Sequence, residues 1–140
     1  MTETRHRNWI ARAGAALFLA FLLVLAGQLI GIGIGSGGPG TLFDALGVLL
    51  WLAAPTLAAW ALVGASTTRT GALAFLALQG VLIGSVVWIY IGINSPEAMS
   101  SSTSGVALMI LPVYQWGAIL LALLLALALG WRMRPGFPRS

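Results

Sequence analysis

Four long stretches without a charged residue constrain this chain more than any motif in it. Arg12 and Asp44 are separated by 31 uncharged residues, Asp44 and Arg69 by 24, Arg69 and Glu97 by 27, and Glu97 and Arg132 by 34. A helix crosses the hydrocarbon of a bilayer with about 20 predominantly apolar residues, so each stretch is long enough for one passage. Charged side chains make up 7% of the 140 residues, against about 25% in a soluble domain, and the mean hydropathy is +0.99. A water-facing surface cannot be assembled from so few charges. The expected fold is an all-α membrane protein, one domain over residues 1–140 built as a bundle of four transmembrane helices.

Composition also removes several kinds of chemistry. With no cysteine there is no thiol catalysis, iron–sulfur ligation, structural disulfide or lipidated cysteine. The single histidine, His6, lies in the charged N-terminal segment, where it cannot supply the paired axial ligands of a haem held within the membrane. No cofactor is expected. The three acids, Glu3, Asp44 and Glu97, are scattered along the chain and form neither a carboxylate pair nor a metal cluster with that histidine. The expectation is therefore a protein without catalytic residues or a metal. The pI near 11.3 comes from arginines at the ends of apolar segments, a pattern of membrane anchors rather than of a nucleic-acid surface.

Helices are expected over about residues 9–34, 42–64, 71–93 and 106–131. The first follows Arg5, Arg7 and Arg12 in the manner of a signal peptide, but its apolar run exceeds a usual signal core, so a retained helix is expected. The run Gly35 to Gly40, with Pro39 inside it, should interrupt the helix outside the hydrocarbon. Thr41 and Asp44 have the spacing of a capping box that would start the second helix. Pro55 falls near the middle of that helix and Pro112 early in the fourth; a kink is expected at Pro55, with the carbonyl it leaves free satisfied by a neighbouring helix or by a hydroxyl such as that of Thr56. Ser95, Pro96 and Glu97 have the order of a further helix start.

Three arginines precede the first segment, one (Arg69) lies between the second and third, three follow the fourth, and none lies in the other two connections. The bias of arginine toward the cytoplasm places both termini and the Arg69 hairpin inside, and the glycine run and Glu97 outside. In a bacterial chain this is the plasma (inner) membrane. Trp9 and Trp131 then fall at one interface, Trp88 and Tyr90 at the other.

Small residues recur at helical spacing in three segments: Gly27, Gly31 and Gly35 in the first, Gly80 and Gly84 in the third, Ala118, Ala122 and Ala126 in the fourth. Such stripes let helix backbones approach closely when lipid removes the hydrophobic drive between helices. They are expected to pack within the bundle, or against a partner. Gln28, Gln79 and Gln115 place amides inside apolar segments, where each needs a hydrogen-bond partner. Counted inward from the helix ends, Gln28 and Gln115 are expected to share a layer, and with Trp51, Tyr114 and Trp116 at similar depth they are candidates for a lipid or quinone pocket. Asp44 reads as a helix cap rather than a proton carrier.

Two functions fit. One is a non-catalytic accessory or scaffold subunit whose partners are membrane lipids and the helices of a larger membrane complex. The other is a small transporter or lipid/quinone-binding protein that forms a homo-oligomer to enclose its path. A proton-coupled path needs an ionisable group within it, and the interior offers amides and aromatics instead, which favours the accessory subunit.

Overall fold

The computed structural model describes residues 2–35, 39–93 and 104–131. Within them lie four helices, α1 (Thr2–Gly35), α2 (Pro39–Ala65), α3 (Arg69–Ile93) and α4 (Ser104–Ala128). All four contain spans long and apolar enough to cross a membrane: Asn8–Leu29, Phe43–Ala65, Arg69–Gly92 and Met109–Ala128. Their side chains meet in three layers. Ile10, Val63, Ala72, Phe75 and Ala126 form the first, Ala59, Leu82 and Ile119 the second, and Phe21, Leu25, Leu52, Val86 and Leu111 the third. Residue numbers rise from first layer to third in α1 and α3 and fall in α2 and α4, so the bundle runs up, down, up, down. Both α2 and α3 pack against every other helix, whereas α1 and α4 barely meet. The cross-section is a diamond whose short diagonal joins α2 and α3.

Only 22% to 33% of each span is buried inside this bundle. On α4, Leu120, Leu121, Leu124, Leu125 and Leu127 are each more than half exposed. A continuous leucine surface of this kind is stable in hydrocarbon and not in water. The chain is a multi-pass membrane protein, and its interior is held by packing and hydrogen bonds rather than by exclusion of water.

Helix boundaries depart from the sequence reading in ways that local chemistry explains. The helix α1 begins at Thr2, well before the apolar span, because the arginine segment contains no breaker. At the start of α2, Pro39 opens the helix, a position suited to its fixed φ and missing donor. Thr41 therefore lies inside the helix and is not its N-cap, and Asp44 stands exposed in the second turn, which corrects the capping-box assignment. The cap of α3 is Thr68: its Oγ1 accepts the Gly71 amide at 3.1 Å, and the Ala72 amide donates to its carbonyl at 3.0 Å. The start proposed at Ser95–Glu97 lies outside the described residues.

At the other end of the chain α4 stops at Ala128 rather than Trp131. Gly130 adopts φ +69°, its amide donates to Leu127 at 3.0 Å, and the Trp131 amide reaches back to Ala126 at 2.9 Å. This is a Schellman cap. It folds Trp131 onto the first layer, edge-on to Phe75 with ring centroids 6.4 Å apart. Gly130→Ala should lower stability by about 1 kcal/mol, since a Cβ in the left-handed region is strained; the unfolding midpoint of the purified variant checks this.

Pro55 and Pro112 are both almost fully buried inside their helices. Thr56 Oγ1 donates to Ala53 at 2.7 Å, not to the Trp51 carbonyl that Pro55 deprives of its usual donor. The Trp51 indole crosses to α4 and donates to the Met109 carbonyl at 3.0 Å, one turn before Pro112. This bond joins the two proline-bearing turns.

Candidate functional site

Each glutamine amide finds a partner on a neighbouring helix, and the three partners differ. Gln79, fully buried on α3, donates to the Gly14 carbonyl of α1 at 3.0 Å. Gln115 on α4 is 3% exposed and donates to the Leu82 carbonyl and to Ser85 Oγ of α3, both at 2.9 Å. Ser85 itself donates to that same carbonyl at 2.7 Å. Gln28 on α1 accepts from the Tyr90 hydroxyl of α3 at 3.2 Å. All four of these interhelical bonds end on or start from α3, so the glutamine contacts are organised around that helix. The Oε1 atoms of Gln79 and Gln115 are buried without a partner, so each amide is only half satisfied.

The expected shared layer of Gln28 and Gln115 does not form. Leu25 and Leu111 meet in the third layer, and because α1 and α4 run in opposite directions, Gln28 lies beyond that layer and Gln115 before it. Seven residues of combined rise separate them by about 10 Å in height. Of the other pocket candidates, Trp51 is tied to Met109, and Tyr114 and Trp116 are 74% and 42% exposed on α4. Among the described residues no hydrogen bond joins any two of Gln28, Trp51, Gln115 and Trp116.

One cleft is formed at the α1–α3 contact, beside Gln28 and Tyr90, with Phe21, Leu25 and Val86 as its floor. Counting the open space at its mouth, it encloses about 460 Å³. Its wall is almost wholly apolar.

The small residues divide into two groups. Ala126 is buried in the first layer, Ala122 packs against it, and Ala118 is half-buried, so the alanine stripe of α4 faces inward. Gly27, Gly80 and Gly84 do not: all three are exposed, and a Cβ at any of them meets nothing within 4 Å. Their assignment to contacts inside the bundle is corrected; the helices that pack around α3 touch its opposite side. Gly31 and Gly35 belong to α1, but their surroundings lie outside the described residues.

The glycine that neighbouring side chains crowd most closely within α1 among the described residues is Gly14, which the periodic stripes did not single out. A Cβ there would come within 3.1 Å of Gln79 Oε1 and of the Trp60 ring, whose indole stacks on Phe18 at 5.9 Å. Its sequence signal is an isolated glycine within a helical run. Gly71 is the second such site, its missing Cβ replaced by the Ser66 hydroxyl and the Thr68 cap.

Among the described residues no three histidine, cysteine or acidic side chains gather into a possible metal site. Comparison with protein-family models, with curated proteins and with solved structures finds no match.

Proposed function

We propose that this chain is a non-catalytic accessory subunit of a bacterial plasma membrane, packed against the helices of a larger membrane protein through the outward face of α3. The observation that carries the reading is the stripe Leu73, Ala77, Gly80, Gly84, Val87 and Ile91, exposed along one side of that helix. Its centre is small and its ends are bulky. A glycine facing lipid makes no side-chain contact and costs roughly 1 kcal/mol of helix propensity relative to alanine. A partner backbone seated on Gly80 and Gly84 offsets that cost through close packing.

Orientation with both termini in the cytoplasm is part of the proposal and is supported by the seven arginines, which fall at the termini and at the α2–α3 hairpin. The transporter reading receives less support: among the described residues Arg12, Asp44 and Arg69 are all exposed, and the buried polar groups are amides and hydroxyls.

Mild solubilisation of membranes holding the tagged chain, followed by sizing and mass spectrometry, tests the role. The wild type should be recovered with a second membrane protein in fixed stoichiometry. Gly84→Leu should elute alone with an unchanged unfolding midpoint, since nothing inside the bundle meets that residue. Particles of equal size from both chains, or a homo-oligomer carrying a quinone that is lost on Gln28→Leu or Gln115→Leu, would sink the proposal.

A further inference from the structure

The α1–α3 cleft is open along its side, with Val24 and Val87, 66% and 45% exposed, as its lips. Its polar atoms are gathered at one end. The Tyr90 hydroxyl donates to Gln28 Oε1, which occupies the acceptor of the amide and leaves Nε2 without a protein partner among the described residues. Tyr90 stands four residues before the polar run that begins at Asn94, and its hydrogen bond brings Gln28 beside it. That is the depth at which hydrocarbon gives way to the polar interface, where tyrosine is enriched. An apolar trough thus runs inward from an unused amide donor at the interface.

We propose that this cleft holds one acyl chain of a bilayer phospholipid, with the ester carbonyl of that chain accepting a hydrogen bond from Gln28 Nε2. The side opening admits a chain directly from the bilayer, and the buried floor of Phe21, Leu25 and Val86 gives it contacts that a flat helix surface lacks. An ester presents one carbonyl, matching one donor group. A quinone presents two carbonyls on opposite edges of its ring, and the Tyr90 hydroxyl, the other polar group of the cleft, is already turned to Gln28. The lip Val87 is shared with the outward stripe of α3, while Val24 and Gln28 belong to α1, so the test uses the chain without a partner.

The full chain, reconstituted in diacyl phosphatidylcholine vesicles with a trace of phospholipid bearing a diazirine on its acyl chain, is irradiated and the labelled residues are mapped by mass spectrometry. Label should concentrate on Phe21, Val24 and Val87 relative to Leu121 of α4, which is 59% exposed and reports ordinary lipid contact. Gln28→Met should lower cleft labelling about fivefold, the ratio that one hydrogen bond of ordinary net strength supports, with Leu121 labelling unchanged. Val24→Trp, which fills the mouth, should abolish it. Equal labelling of the cleft and Leu121, or no response to either substitution, overturns the site. Two arms on the wild type need no variant: equal cleft labelling by an ether-linked probe without the ester carbonyl overturns the assigned contact, and displacement of the probe by an isoprenoid quinone but not by excess phospholipid overturns the assigned occupant.

Discussion

Replacing Gly14 by leucine should cost on the order of 3 kcal/mol or more, the largest effect expected of any glycine substitution described in this bundle. At Gly14 side chains of α2 and α3 press on the α1 backbone: its carbonyl accepts the Gln79 amide, and 3.1 Å separates its absent Cβ from both Gln79 Oε1 and the Trp60 ring. A leucine there must push α1 away from α2 and α3 together. That breaks the Gln79 bond and the Phe18–Trp60 stack in one step. Alanine is different, because the neighbours need give by only a few tenths of an ångström, and the roughly 1 kcal/mol gained in helix propensity works against that strain. Gly84→Leu is the internal control, since a side chain at Gly84 meets open space. Unfolding midpoints in a mild detergent should fall sharply for Gly14→Leu and stay at the wild-type value for Gly84→Leu; the reverse order would show that the close approach has been put on the wrong helix face.

Phe75→Ala should be the next most damaging, at about 2–3 kcal/mol. Phe75 is 2% exposed, fills the first layer beside Ile10 and Val63, and supports Trp131 edge-on. In a soluble protein a buried Phe→Ala change costs roughly 3–5 kcal/mol, part of it for returning apolar surface to water. Here the unfolded helices remain in hydrocarbon, so the transfer part drops out and the lost contacts remain. The same substitution also frees Trp131 from its seat, so its fluorescence should shift together with the unfolding midpoint. A lower midpoint without any change in Trp131 emission, read in a variant whose other tryptophans are phenylalanine, would contradict the proposed support.

The four spans were legible because crossing a bilayer depends on the length and composition of a segment, and charge-free intervals report both. Packing was less legible for a related physical reason. Helices that are apolar on every side carry little signal for which side faces inward, so the stripes at Gly80 and Gly84 and at Ala122 and Ala126 looked alike, although α3 turns its stripe out and α4 turns its stripe in. Gly14 escaped because its importance comes from Gln79 and Trp60, 65 and 46 residues away, and not from any repeat. The same holds for Gln28: counting depth along each helix ignored how α1 and α4 are levelled by Leu25 and Leu111. Helix ends shifted where single residues dominate, at Pro39, Thr68 and Gly130, and of these Gly130 has the plainest sequence signature, a glycine directly after an apolar run.

Four crossings with alternating direction underlie every inference above, from the lipid-facing leucines of α4 to the interfacial depth of Gln28. Reporters fused after Gly38, Thr67, Ser102 and the C-terminus test them together. Enzymatic readout should be outside, cytoplasmic, outside and cytoplasmic in that order, as the arginines at the termini and at Arg69 require. Two consecutive reporters on one side would contradict four crossings, and cytoplasmic signals from Gly38 and Ser102 with external signals from the other two would contradict the orientation.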